Sequence, residues 1–166
     1  MKKPSKEVKM FMLAESFRVA VEVLTAHWSA RRKVVYLQPI WINQALTCEL
    51  YLKCLVSIKT KIVPKHHRLH ELFDQLPKAD RAILVNNYKT LCKADLNHEQ
   101  FFRDNTRIKD DLRSVLEGGA EVFSRIRYSY EGIGTDVLLV YFPLPIMAIR
   151  KTILDCQPDY PSKLSA

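Results

Sequence analysis

The sequence predicts an all-α fold, an antiparallel up-and-down helical bundle, on three observations. Glycine is scarce, with four in 166 residues and none before Gly118. Apolar residues recur at the helical period through long stretches rich in Leu, Lys, Glu and Ala. Prolines (Pro39, Pro64, Pro77, Pro143, Pro145, Pro158) fall at the starts of these stretches or between them. The length suits one domain over residues 1–166, with the bundle at about 5–131 and a small C-terminal appendage at about 132–166.

The first helix is predicted over 5–27, capped by Ser5. Its apolar stripe is Met10, Leu13, Ala14, Phe17, Ala20, Val21, Leu24 and Trp28. Ser29–Lys33, with Arg31 and Arg32, reads as a basic connection. Pro39 fits the first turn of a second helix reaching about Ile62. Trp41, Ala45, Cys48, Leu52, Leu55 and Val56 line one side of it, and Glu49 and Lys53 are spaced for an ion pair on another. A short helix near 67–76 and a longer one at about 78–93 follow. Residues 94–105 are polar and read as irregular. The last long helix is predicted over 106–130, running through Gly118 and Gly119 although each glycine costs about 1 kcal/mol against alanine. Gly119 on the apolar face allows a neighbour to approach closely. Val137–Phe142 reads as a small strand or hairpin, and 146–156 as a terminal helix.

Several function classes are excluded or disfavoured. Without early glycines there is neither a P-loop nor a dinucleotide-binding turn. The longest uncharged runs, 34–48 and 137–149, fall short of the roughly 20 residues that span a bilayer, so no membrane association is expected. Glu15, Arg18 and Glu22 break what would be the apolar core of a signal peptide, and a cytoplasmic location is the expectation. Cys48, Cys54, Cys92 and Cys156 form no CxxC pair and read as free thiols. The net charge of +8 and pI of about 9.4 favour a polyanionic partner.

Two clusters carry potential chemistry. His66 and His70 are four apart, but the helix is expected to start near His67, and no further ligand lies at metal-site spacing. No metal and no cofactor are therefore expected. The second cluster, Arg125, Arg127, Tyr128, Tyr130 and Glu131, closes the last long helix. Arginine at a helix C-terminus is favoured by the dipole, and that is the plainer reading. Arginine beside tyrosine is also the chemistry for gripping phosphate and stacking on a base.

Three segments together resemble a known family. They are Ala45-Leu46-Thr47-Cys48-Glu49-Leu50-Tyr51-Leu52-Lys53-Cys54-Leu55, His67-Arg68-Leu69-His70-Glu71-Leu72-Phe73-Asp74-Gln75-Leu76-Pro77 and Arg127-Tyr128-Ser129-Tyr130-Glu131. In order and spacing they are similar to the second helix, the His-x-Leu-x-x-Leu-Phe segment and the last bundle helix of bacterial HEPN-domain proteins. The likeness covers roughly residues 10–131. It implies a dimeric helical bundle that binds RNA or a nucleotide, in a toxin–antitoxin or phage-defence setting. Many members of the family are metal-independent ribonucleases.

The family's catalytic arginine is followed four to six residues later by a histidine, which supplies a proton acceptor beside a cation for the phosphorane charge. Here no arginine has a histidine at that spacing. The resemblance leaves Arg127 in the cationic role, with Tyr128, Tyr130 or Glu131 in place of the histidine. Arg125, Arg127, Tyr130, Arg31 and Arg32 are the candidate nucleic-acid contacts. The alternative is a non-catalytic interaction module that pairs with a nucleotidyltransferase-like partner through Val137–Ile149.

Overall fold

The computed structural model describes residues 4–104, 109–120, 126 and 142–164. Its described elements are all helical: α1 (Lys6–Arg31), α2 (Leu37–Thr60), α3 (Leu69–Asp74), α4 (Lys78–Ala94), α5 (Leu96–Asp104), α6 (Leu112–Gly119) and α7 (Pro143–Cys156). Short 3-10 turns at Val34–Tyr36 and Pro161–Leu164 complete them.

Cross-contacts fix the directions of the long helices. Ser57 on α2 donates to Glu7 at the start of α1 at 2.7 Å, while His27 near the end of α1 stacks on Tyr36 just before α2. These two helices are therefore antiparallel. Lys59 at the end of α2 pairs with Asp80 in the first turn of α4 at 2.8 Å. Asn87, midway along α4, donates to Thr152 of α7 at 3.0 Å. Arg150 of α7 reaches Glu15 of α1, and Tyr160 beyond α7 packs edge-on against Phe11 with ring centroids 5.3 Å apart. The four long helices α1, α2, α4 and α7 thus alternate in direction around one core.

Local chemistry explains the helix ends. Ser5 accepts the Val8 N–H at 3.3 Å and caps α1. Helix α1 continues to Arg31, so Ser29–Arg31 are its last turn and not a connection. Arg32 turns left-handed at φ 51° to close it, its N–H on the Trp28 carbonyl and its guanidinium 4.9 Å from the Trp28 ring centroid. Lys61, at φ 62°, closes α2 in the same way. Asp111 caps α6 by accepting the Ser114 N–H at 2.9 Å.

The core joins Phe11, Tyr51, Leu52, Leu55, Leu72, Leu84 and Leu116 to Phe142, Ile149 and Ile153, all nearly inaccessible. Side chains of this size each contribute roughly 2 kcal/mol of burial. The buried face of α1 is Val8, Phe11, Ala14 and Glu15, whereas Leu13, expected in the stripe, lies about half exposed. Residues 142–160, expected as an appendage, are part of the core, and Phe142, Leu144, Ile146, Ala148, Ile149, Ile153 and Tyr160 are all buried.

Two further expectations are corrected, and a third lies almost wholly outside the described residues. Leu96–Asp104 is a helix and not irregular, because Asp95 accepts the N–H groups of Asn97 and His98 at 2.8 and 3.2 Å and starts it. Helix α6 begins at Leu112 and not at 106, because its cap is Asp111. Phe142, the end of the expected strand, sits at the N-cap of α7, and 137–141 lie outside the described residues. Gly119 does permit a close approach: an added Cβ would overlap the buried Phe142 ring and meet Leu69 Cδ1 at 3.3 Å.

Candidate functional site

The sequence candidates divide into two groups. Arg125, Arg127, Tyr128, Tyr130 and Glu131 lie outside the described residues. Arg31 and Arg32 are described and exposed, at the C-terminal end of α1. Cations suit that end of a helix, because its dipole is negative there, and the same dipole opposes an anion. Arg32 is further occupied by Trp28.

A different pair of arginines is built into the bundle. Glu15 is 4% exposed on the inner face of α1. Its carboxylate accepts from the buried Tyr51 hydroxyl of α2, from Arg150 Nε of α7, and from Arg18 Nε at 3.0 Å. Burial pushes this carboxyl up, but the hydrogen bonds from Arg150 and Tyr51 and the charges of Arg150 and Arg18 outweigh it and hold it below the ordinary range. Burial first, and then the hydrogen bond to Glu15 and its negative charge, push the Tyr51 phenol well above its usual value against the opposing charges of Arg150 and Arg18, so it stays a donor.

Both guanidinium groups emerge at a recess of about 560 Å³ between α1, α2 and α7. Val21, Ile146 and Met147 give it apolar walls, and Gln44 and Thr47 supply polar groups. Arg18 also pairs with Glu22, whose side chain is 62% exposed. Among the described residues the hydrogen bond of Arg150 is made through Nε, to Glu15. Arg31 stands 13 residues beyond Arg18, about 20 Å along α1, so the structure does not bring it to this recess.

The histidine cluster is dispersed. Helix α3 begins at Leu69, so His66 precedes it and shares no helical face with His70. His66 contacts Gln75, while His67 lies 2.9 Å from Glu49. Glu49 is buried, and it also holds Lys53 at 2.9 Å, the ion pair expected from their spacing.

One further cluster escaped the sequence reading. Cys92 in the last turn of α4, His98 in the first turn of α5 and Asp110 before α6 bring one ligand atom each to within 4.8 Å of one another. His98 is 3% exposed, with Nε2 2.9 Å from Asp110 Oδ1 and 3.3 Å from the Tyr88 hydroxyl. Phe102 covers its ring at 4.7 Å between centroids. The signal in the sequence is the spacing of Cys92 and His98 around a helix-to-helix corner, and it is invisible while 94–105 reads as irregular. The remaining thiols differ in access: Cys48 and Cys54 are buried and Cys156 is half-buried. Burial raises the Cys54 thiol to about 12.

Comparison with protein-family models, with curated proteins and with solved structures found no match to this chain. Among the described residues no helix is long and apolar enough to cross a membrane.

Proposed function

We propose that this chain is a HEPN-like helical protein that binds RNA or a nucleotide at the recess between α1, α2 and α7. The observation that carries the reading is the buried Glu15, which fixes Arg18 and Arg150 by their Nε atoms at the rim of an apolar-walled recess. A phosphate would sit on the terminal nitrogens of Arg150, with a base or sugar against Val21, Ile146 and Met147. Glu15 is locked in place, but the Arg18–Glu22 pair is exposed and worth under about 1 kcal/mol, so an anion displaces Glu22 cheaply. The net charge of +8 supplies the long-range attraction.

On the same reading Arg125, Arg127 and Tyr130 are further candidate contacts to the RNA, and Tyr128 and Glu131 are the candidate proton-transfer groups. A homodimer and a toxin–antitoxin or phage-defence setting follow from the family likeness, and a cytoplasmic location from the charged residues that break a signal-peptide core. The test is incubation of RNA with purified protein, with and without EDTA, beside Arg127→Ala and Glu131→Gln. EDTA-resistant cleavage lost in both variants makes it a metal-independent ribonuclease. Binding without cleavage, weakened in Arg127→Ala, makes it a binding domain. Absence of both rejects the reading.

A second reading, pairing with a nucleotidyltransferase-like protein, is favoured by α1, where Leu13, Val19 and Val23 are each about half exposed. The partner face would then be α1. It would not be Val137–Ile149, because Leu144, Ile146, Ala148 and Ile149 are already in the core.

A further inference from the structure

We propose that Cys92, His98 and Asp110 form a binding site for a divalent transition metal ion of the zinc class, with a fourth position open to solvent. The donor set is a thiol, an imidazole nitrogen and a carboxylate, all mutually within 4.8 Å. That mixture selects Zn²⁺ or Co²⁺ over Mg²⁺ and Ca²⁺, which take oxygen ligands. Metal–ligand bonds of about 2.0–2.3 Å set tetrahedral donors roughly 3.2–3.8 Å apart. The three side chains need to move by only about an ångström to meet that requirement, His98 and Asp110 by parting from 2.9 Å.

The backbone fixes the corner that carries the site. Asp95 closes α4 and starts α5, accepting the His98 N–H itself. This turn brings His98 back over Cys92, six residues earlier. Tyr88 meets His98 edge-on, with ring centroids 6.0 Å apart, and Phe102 packs on its other side, so the imidazole is held within α4 and α5. Asp110 is half exposed and can swing from Nε2 onto an ion bound there. A recess of about 440 Å³ adjoins the three ligands, lined also by Lys93, Leu96 and Glu99. Three protein ligands beside an open recess are the arrangement of a zinc ion that keeps a water or an exogenous ligand.

On binding, Cys92 loses its thiol proton to solvent and coordinates as thiolate, His98 binds through neutral Nε2, and Asp110 binds as carboxylate. Binding therefore releases about one proton per ion near neutral pH and stabilises the folded chain.

The test uses the reduced, chelator-stripped full chain, titrated with Co²⁺ and then with Zn²⁺. The expected result is one equivalent of Co²⁺ with a thiolate-to-metal charge-transfer band, displaced by Zn²⁺, and a higher Tm with Zn²⁺. Cys92→Ser should abolish the charge-transfer band, and Asp110→Asn should weaken binding by about tenfold or more. Asp110 is exposed enough for its variant to fold, so it decides the matter if Cys92→Ser does not fold. No charge-transfer band in the native chain, an unchanged band in Cys92→Ser, or unchanged affinity in Asp110→Asn would each overturn the proposal. The cluster would then be a hydrogen-bonded core histidine and nothing more.

Discussion

Tyr51 on α2 donates its hydroxyl hydrogen to Glu15 on α1, 36 residues earlier in the chain, and both side chains are buried. The same carboxylate holds Arg150 from α7, so one buried charge ties three of the four long helices. Glu15→Ala strips the Tyr51 hydroxyl of its acceptor and Arg150 of its counter-charge, and leaves Arg18 with Glu22 alone. A destabilisation of about 3 kcal/mol is expected, read as a lower midpoint in urea at unchanged slope. Tyr51→Phe removes one hydrogen bond and keeps the packing, so its expected cost is about 1 kcal/mol.

Acid should unfold the chain through identifiable carboxylates. Glu15 is held below its ordinary pKa as described, and Glu7 is lowered chiefly by the Ser57 hydrogen bond. For Asp111, burial pushes up but the capping bonds from Ser114 win, again lowering it. A folded pKa below the unfolded one means that the unfolded chain takes up more protons in acid. The stabilisation is fully present above the unfolded pKa and is lost as pH falls through the folded value. Urea midpoints should therefore hold steady from pH 7 to about 5 and decline below that. In Glu15→Gln the decline should be shallower; an equally steep decline would remove Glu15 from the explanation.

Truncation before Phe142 should abolish cooperative folding. It removes Phe142, Leu144, Ile149, Ile153 and Tyr160 from the core and exposes their partners on α1, α2 and α4. Loss of a single thermal transition in the 1–141 fragment is the expected outcome. A fragment that melts cooperatively would mean that the bundle folds without α7.

Much of this architecture is legible in the sequence, and the omissions share a physical cause. The Ser5 cap, the Glu49–Lys53 pair and the apolar face of α2 depend on neighbours a few residues apart, which periodicity and spacing report directly. Helix α5 leaves little trace in the sequence because Asn97, Glu99 and Gln100 give it a polar composition and because it buries mainly His98. Leu13 and Phe11 are both apolar, and only the packed partners Tyr51 and Tyr160 decide which one turns inward. The Glu15 cluster joins residues from three helices, and Asp110 reaches Cys92 and His98 from the segment before α6, proximities that the tertiary fold creates.

The two left-handed helix caps offer stabilising substitutions. Lys61 holds φ 62° with a Cβ that disfavours this conformation, so Lys61→Gly should gain about 1 kcal/mol and raise Tm. Arg32→Gly relieves the same strain at φ 51° but loses the stacking on Trp28, so a smaller gain is expected.

The most direct measurement is binding of a fluorescent single-stranded RNA across a salt series to the native chain and to Met147→Glu. Met147 is about half exposed at the recess, so the variant should fold while placing a negative charge on the wall expected to meet the base or sugar, beside the phosphate expected at Arg150. The expected result is salt-dependent binding by the native protein, with affinity falling by about tenfold or more in Met147→Glu at low salt. Equal affinity in both proteins would contradict a ligand site between α1, α2 and α7, and no binding by either would contradict the nucleic-acid reading itself.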